Sequence, residues 1–307
     1  MRVAAIDVGS NTVLLLVAES RADGTTIAVL ERATITRLGE GVDRSRRLSP
    51  VAVKRTLVCL EHYAELAREL GVERTIVVGT SAMRDAHGSD EMRSQIRALF
   101  GVDVRVLSGD EEARATFAGG VDGLRLPSGS RLGLFDIGGG STEIVIGELR
   151  DRRPELSYVR SFDIGSVRLT ERHVRSDPPT RIELEAITAD VRDTLSDVGA
   201  LPKDTVPVGV AGTITTLAAV AFGIAPYVGA EVHGRLLSTK ELRRVIADLT
   251  AVDLNARKLI PGMEPNRADV IIAGGCIAAA LLDLWGAEVV LVSDRGVRWG
   301  LVREMLA

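Results

Sequence analysis

Two acidic residues close apolar runs, and each is followed by a glycine turn and a hydroxyl. The first is Asp7, in Ala5-Ile6-Asp7-Val8-Gly9-Ser10-Asn11-Thr12. The second is Asp136, in Leu134-Phe135-Asp136-Ile137-Gly138-Gly139-Gly140-Ser141. Without Cβ atoms, such turns bring backbone amides within hydrogen-bond reach of an anion such as phosphate. A carboxylate at the strand end suits a magnesium ion, held directly or through water. The two stretches superpose without a gap: Asp7 falls on Asp136, Gly9 on Gly138, Thr12 on Ser141 and Glu19 on Glu148. Two copies of an Asp-x-Gly hairpin predict two similar domains facing each other. Each offers one phosphate turn and one carboxylate to a shared cleft. Chance likeness between two β-hairpins is the competing reading.

Three further stretches carry candidate chemistry. Thr80-Ser81-Ala82-Met83-Arg84-Asp85 follows a buried apolar strand, where open α/β sheets place ligands. That makes Arg84 a candidate phosphate contact, against a surface salt bridge. Ser108-Gly109-Asp110-Glu111-Glu112-Ala113-Arg114 opens a helix. Carboxylates in a first helical turn complement the helix dipole; alternatively, one of the two glutamates faces the cleft as a general base. Ala211-Gly212-Thr213-Ile214-Thr215 follows a short strand and starts a helix, whose free N–H groups suit an anion. Simple capping by Thr213 is the alternative.

The elements that must position these groups alternate between strands and helices. A hairpin over 3–19 runs on into a strand-rich segment to Leu38. Ser49-Pro50 caps and starts a helix that ends at Gly71. Ser89 caps another, closed by Gly101. Residues 122–130 read as the crossover into the second domain, and 131–147 as its hairpin. A third strand spans 157–164, and a helical stretch runs from Ser176 to about Val198. Ser238-Thr239-Lys240-Glu241 is a capping box. A long apolar helix runs from Arg267 to Trp285, and a last helix from Asp294 to Leu306 packs back on the first domain.

The 307 residues suffice for two domains with sizeable cores. Aromatics make up only 3% and the net charge is −4, which argues against a nucleic-acid surface. Cys59 and Cys276 sit in apolar helical patterns and read as buried free thiols. The four histidines are scattered, against a zinc site. No signal-peptide pattern opens the chain, and Asp283 and Glu288 interrupt its longest apolar stretch. The expected location is the cytoplasm, with no membrane or nucleic-acid partner.

In order, DVGSNT, TSAMRDA, SGDEEAR, DIGGGSTE, GSVRLTE, AGTITTLAA and VSDRGVRWGL resemble the exopolyphosphatase/guanosine pentaphosphate phosphohydrolase (Ppx/GppA) family, in its short two-domain form. The resemblance spans nearly the whole chain. It implies an α/β fold of two actin-like (ribonuclease-H-like) domains around a central cleft. Domain I would cover 1–124, joined by the C-terminal helix 294–307, and domain II 125–293. It implies magnesium-dependent hydrolysis of the terminal phosphoanhydride of inorganic polyphosphate. The alternatives are removal of the 5′ γ-phosphate of pppGpp, the stringent-response nucleotide, or a sensor that binds guanosine polyphosphate or polyphosphate without turnover. Without further C-terminal domains, short chains or small substrates are favoured.

The resemblance also carries roles over by position. Glu112 matches the catalytic glutamate, with Glu111 beside it. Asp7, Asp136 and Glu143 lie near the metal. Gly9, Ser10, Asn11 and Thr12 form the first phosphate turn, and Gly138, Gly139, Gly140 and Ser141 the second. Arg84, Gly212 and Thr213 are further phosphate contacts. A homodimer is implied by family likeness alone. One departure is Trp299, where the family usually carries Glu near the hinge.

Overall fold

The computed structural model describes residues 1–21, 25–150 and 153–307. The chain divides into two compact units. The first is Met1–Gly119 with Val297–Ala307; the second is Gly120–Gly296.

The first unit contains β1 (Arg2–Val8), β2 (Thr12–Ser20), β3 (Thr26–Ile35), α1 (Val42–Ser45), α2 (Pro50–Glu69), β4 (Arg74–Gly79), α3 (Ser81–Asp85), α4 (Ser89–Phe100), β5 (Val104–Val106) and α5 (Gly109–Gly120). The second contains β6 (Arg131–Ile137), β7 (Thr142–Arg150), β8 (Arg153–Phe162), α6 (Ser166–His173), α7 (Arg181–Thr194), β9 (Thr205–Val210), α8 (Ala211–Phe222), α9 (Gly229–Val232), β10 (Leu236–Ser238), α10 (Thr239–Thr250), α11 (Leu254–Lys258) and α12 (Ile271–Leu284). It ends with β11 (Val289–Val292), and the chain closes with α13 (Val297–Leu306) in the first unit.

Both sheets share one plan. The first runs β3-β2-β1-β4-β5. The second runs β8-β7-β6-β9-β11, with β10 added at the far edge. In each, three antiparallel strands form a meander, and its first strand pairs in parallel with the strand that returns after a crossover. The fold is thus α/β and actin-like, a ribonuclease-H-like sheet built twice. The repeat reaches an irregularity that composition does not reveal. A register shift between β2 and β3 falls at Val17/Ala18, and one between β7 and β8 at Ile146/Gly147. Superposing Asp7 on Asp136 carries the first shift onto the second.

Alternation along β1 decides which layer covers each face. Ala4, Ile6 and Val8 pack with Leu60, Tyr63, Met92 and Ile96 of α2 and α4. Val3 and Ala5 point to the other face, where α13 contributes Val297, Trp299, Leu301, Val302 and Met305. Asp7 continues that second alternation. Trp299 is 2% exposed, so the aromatic ring completes the layer of α13 against the sheet.

Several element ends differ from the sequence reading. Ser49 holds the N-cap position of α2 without a side-chain cap bond. At α4 the N-cap is Gly88, in a left-handed conformation, and Ser89 is the first helical residue. Thr180 and Glu183 form a full capping box, so α7 starts at Arg181 rather than in the Ser-Asp-Pro-Pro stretch. Arg267 lies in a 3₁₀ turn (Pro265–Arg267), and α12 starts at Ile271. Asp294 precedes α13 and accepts from the Tyr227 hydroxyl. Cys59 is buried and Cys276 half-buried; both are free thiols. Among the described residues, no helix is long and apolar enough to cross a membrane.

The seat of α13 is sterically tight. A Cβ at Gly300 would stand 2.0 Å from the Ala115 carbonyl oxygen in the backbone of α5. Gly300→Ala is expected to lower stability by about 1–3 kcal/mol, as overpacking does. Gly199→Ala, whose methyl meets open space, should stay within about 0.5 kcal/mol of wild type. Urea midpoints at unchanged m-value are the readout; equal midpoints for both variants would refute the steric account.

Candidate active site

In the first unit, β1 delivers Asp7 to the sheet's C-terminal end, and the carboxylate is buried. Val8 pairs with Val13, leaving a four-residue turn closed by Gly9 N–H to Thr12 O at 3.1 Å. Ser10 and Asn11 are buried in it. Their carbonyls are tied back by the segment that follows β3. Gly39 N–H donates to Ser10 O at 2.7 Å, and Thr36 and Arg37 N–H donate to Asn11 O at 3.0 and 2.9 Å. The amides of Ser10 and Asn11 have no backbone acceptor among the described residues.

The second unit repeats the arrangement. Ile137 pairs with Thr142, and Gly138 N–H donates to Ser141 O at 3.0 Å. Here the carbonyls face the start of α6, again the segment that follows the third strand. Gly138 O accepts from Ser166 N–H at 2.9 Å, Gly139 O from Val167 and Arg168 N–H at 2.9 and 3.1 Å, and Gly140 O from Arg168 Nε at 2.7 Å. With these acceptors engaged, the amides of Gly139, Gly140 and Ser141 are left without backbone acceptors among the described residues. Rows of N–H groups with their carbonyls turned away form an anion-binding concavity.

The strand-end carboxylates differ between the units. Asp136 stands directly across from Glu143 in the β6–β7 register, whereas Asp7 stands across from Leu14. Glu143 is buried and accepts from Ser161 Oγ at 2.7 Å. Like charges directly opposed on a sheet destabilise it, so a cation beside Asp136 and Glu143 would offset a standing repulsion. No group of three His, Cys, Asp or Glu side chains that would enclose a metal occurs among the described residues. The pair therefore fits an oxygen-preferring ion that keeps several waters, as magnesium does.

The two adjacent glutamates of α5 are separated by helix geometry. Glu111 is the reciprocal partner of a cap. Its Oε2 accepts from Ser108 N–H at 2.9 Å and from Ser108 Oγ at 3.0 Å, while Ser108 Oγ accepts from Glu111 N–H. Arg105 adds an ion pair at 3.0 Å. The Ser108 backbone N–H and then Arg105 hold the Glu111 carboxyl down at about 2. About 100° further round the helix, Glu112 points inward, its side chain 11% exposed against 44% for Glu111. Glu112 Oε2 accepts from Arg84 Nη1 at 3.1 Å, and the same nitrogen donates to Leu107 O at 3.0 Å. Arg84 is thus half-buried and ties α3 to the residue after β5 and to α5 around the buried carboxylate.

At the start of α8, Thr213 lies inside the helix and its hydroxyl donates to Ile137 O at 3.0 Å. The N-cap is Val210, so Thr213 is not a cap. It fastens α8 to the strand that ends in the second glycine turn. Gly212 lies against a neighbour that sequence reasoning passed over: a Cβ there would stand 1.7 Å from Arg267 Nη1, so the guanidinium packs onto the glycine. Burial lowers the pKa of Arg267, and its Nε is buried without a hydrogen-bond partner among the described residues. Arg168, Ser161 and Ser166 were also missed as supports. Arg168 and Ser166 stood inside the GSVRLTE motif already noted, whereas only the β7–β8 register brings Ser161 to Glu143.

The sequence profile of the Ppx/GppA phosphatase family matches residues 16–307. Exopolyphosphatase 2 of Mycobacterium tuberculosis is 37% identical, over 99% of this chain and 98% of its own length. A guanosine-5′-triphosphate,3′-diphosphate pyrophosphatase of Vibrio atlanticus is 30% identical, and the match spans 59% of that protein. Among solved structures, the Aquifex aeolicus Ppx/GppA family member superposes with a TM-score of 0.82 at 35% identity, covering 100% of this chain and 98% of that one. An exopolyphosphatase from Cytophaga hutchinsonii gives 0.88 at 26% identity, over 100% and 98%.

Two outcomes follow from this geometry. A Cβ at Gly165 would stand 2.5 Å from Gly139 O. Gly165→Ala should therefore push the second turn away from α6, costing about 1–3 kcal/mol and weakening the protein's affinity for tripolyphosphate. Unchanged affinity in calorimetry would refute the buttress. Separately, the depressed Glu111 pKa means its stabilisation is complete above about pH 4.5 and fades as pH falls toward about 2. Glu111→Ala should cost about 1 kcal/mol at pH 7, given the exposure of the pair. The gap to wild type should narrow steadily below pH 4.5. A gap that stays constant from pH 7 to 3 in urea titrations would contradict the capping role.

Proposed function

Because the chain belongs to the Ppx/GppA phosphatase family, we propose that it is an exopolyphosphatase, hydrolysing the terminal phosphoanhydride of inorganic polyphosphate to release orthophosphate. The observation that carries this reading is the buried Glu112 carboxylate held by Arg84 at the sheet's C-terminal end. It is a base candidate with a cation beside it. Phosphoryl transfer asks for positioning and charge stabilisation more than covalent help. In this reading each glycine turn grips phosphate through backbone N–H groups: Ser10, Asn11 and Thr12 in the first unit, and Gly139, Gly140 and Ser141 in the second. Arg84, the Gly212–Thr213 turn and Arg267 hold the terminal phosphoryl oxygens. Glu112 orients a water in line with the scissile bond and takes its proton as the new P–O bond forms. The shortened chain departs as the leaving oxyanion.

Asp136 and Glu143, with Asp7, are the side chains that would hold magnesium. The ion supplies charge neutralisation on the phosphate oxygens when bound. Glu111 serves by fixing the first turn of α5 and hence the direction of Glu112.

Polyphosphate is favoured over pppGpp by two features. The exopolyphosphatase relative is 37% identical, whereas the pyrophosphatase relative is 30% identical. Aromatics are 3% of the chain, few for stacking a guanine base. Family likeness also supports a cytoplasmic homodimer.

Phosphate release from polyphosphate, pppGpp and ATP, with and without magnesium, tests the reading. Release chiefly from polyphosphate in the presence of magnesium is expected. Tight binding without turnover would make the protein a sensor, and preference for pppGpp would reassign the substrate. Glu112→Gln should lower kcat about 100-fold or more with KM little changed, while Glu111→Ala keeps most of kcat. A Glu112→Gln enzyme that turns over like wild type would remove Glu112 from the reaction.

A further inference from the structure

The segment that buttresses the first glycine turn continues into Val42-Asp43-Arg44-Ser45-Arg46-Arg47. Arg44, Arg46 and Arg47 are exposed, and none has a carboxylate partner among the described residues. Exposed arginines elsewhere divide: Arg97 pairs with Asp103, Arg181 with Glu185, Arg243 with Asp283, and Arg244 with Glu241 and Asp248, whereas Arg68, Arg114 and Arg192 are unpaired among the described residues but stand singly; 44–47 gathers three within four positions. The nearest acidic neighbours in sequence do not neutralise the three. Glu40 pairs with Arg55 at 2.8 Å, and Asp43 is half-buried and engaged within the protein.

The backbone of this segment is fixed at both ends. Gly39 N–H is bonded to Ser10 O, and Val42 N–H to Gly39 O at 3.1 Å. Ser45 closes α1 through N–H and Oγ bonds to Gly41 O at 3.0 and 2.7 Å. Arg46 is left-handed, at φ 53°, with its N–H on Val42 O at 2.9 Å. Its carbonyl accepts from His87 N–H at 2.8 Å, just beyond α3, which carries Arg84. Three uncompensated cations thus sit on a short span pinned between the Ser10–Asn11 turn and the end of α3.

We propose that Arg44, Arg46 and Arg47 form a binding track for the distal part of a long polyphosphate chain whose terminal phosphates occupy the turn. The inference rests on the hydrolase reading for the identity of the anion. A linear polymer charged at every phosphate carries condensed counterions, and three arginines release some of them on contact. Tripolyphosphate is too short to gain from this. The track therefore gives the two-unit chain a preference for longer polymers, contrary to the expectation that short chains are favoured.

The test compares Arg44→Gln/Arg46→Gln/Arg47→Gln with its parent, both carrying Glu112→Gln so that turnover does not consume ligand. Equilibrium binding of long-chain polyphosphate should weaken about 10-fold or more at low salt, and its log K against log salt slope should flatten by up to about 3. Tripolyphosphate affinity should change less than about 2-fold. Arg181→Gln/Arg243→Gln/Arg244→Gln, an equal charge loss on α7 and α10, should leave both unchanged. Equal losses for both ligands, no loss for either, or a parallel loss of single-stranded RNA binding would overturn the proposal. If the triple variant misfolds, each single Gln variant should weaken long-chain binding alone, and three neutral singles would overturn it equally. With Glu112 intact, phosphate release separates the two readings. A protein that releases no phosphate yet loses long-chain binding in the triple variant keeps the track and loses the hydrolase. One that hydrolyses long chains with the same KM in both forms keeps the hydrolase and loses the track.

Discussion

A backbone turn that offers its N–H groups to an anion must place its own carbonyls somewhere else. Buried carbonyls without donors are costly, and carbonyls facing an anion would repel it. Both glycine turns meet this constraint with the segment that follows the third strand of their meander. In the first unit that segment is 36–39, which donates to Ser10 O and Asn11 O. In the second it is the start of α6, which donates to the Gly138, Gly139 and Gly140 carbonyls. The order of strands is what delivers each segment. A meander whose third strand ends beside the first turn brings the following residues back across it, and the shared register shift lies along the same strand pair.

From that constraint the unequal chemistry of the two units follows. The strand before each turn carries a buried aspartate as its last residue but one, and the residue across from it decides what the aspartate can do. Leu14 puts no second carboxylate across from Asp7 in the strand register. Glu143 doubles the charge beside Asp136 and makes a cation favourable there. On α5 a comparable division arises within one turn of helix. Capping holds Glu111 toward Ser108 and Arg105, and rotation by one residue places Glu112 against Arg84.

What was legible in the sequence was whatever local chemistry dictates. The hairpins, their glycine turns and the ungapped repeat could be read because apolar alternation and missing Cβ atoms leave a direct trace. The separation of Glu111 from Glu112 was also written there, in Ser108-Gly109-Asp110-Glu111, a capping-box pattern like the Ser238–Glu241 pattern that was recognised. Helix starts were read less well. Gly88 accepts a left-handed conformation that moves the cap off Ser89, and Arg267 belongs to a 3₁₀ turn whose neighbour, Gly212, lies far away in the chain. Contacts of that kind depend on how α8 and the turn before α12 pack, and no local pattern encodes them.

The duplicated plan also explains why arginines after the third strand have diverged. In the second unit the slot is filled by a helix of eight residues, and its Arg168 is buried with Nε on Gly140 O. The cation there stiffens the turn from behind. In the first unit three backbone N–H groups already satisfy the carbonyls, so no side-chain donor is needed for that task. The chain then leaves the turn through a one-turn helix and a left-handed residue, and its arginines emerge on the surface rather than beneath the turn. The segments that follow the third strand of the two meanders thus serve opposite ends of one requirement. One supplies charge to hold a phosphate turn in shape, and the other has charge left over to meet whatever polyanion extends beyond it.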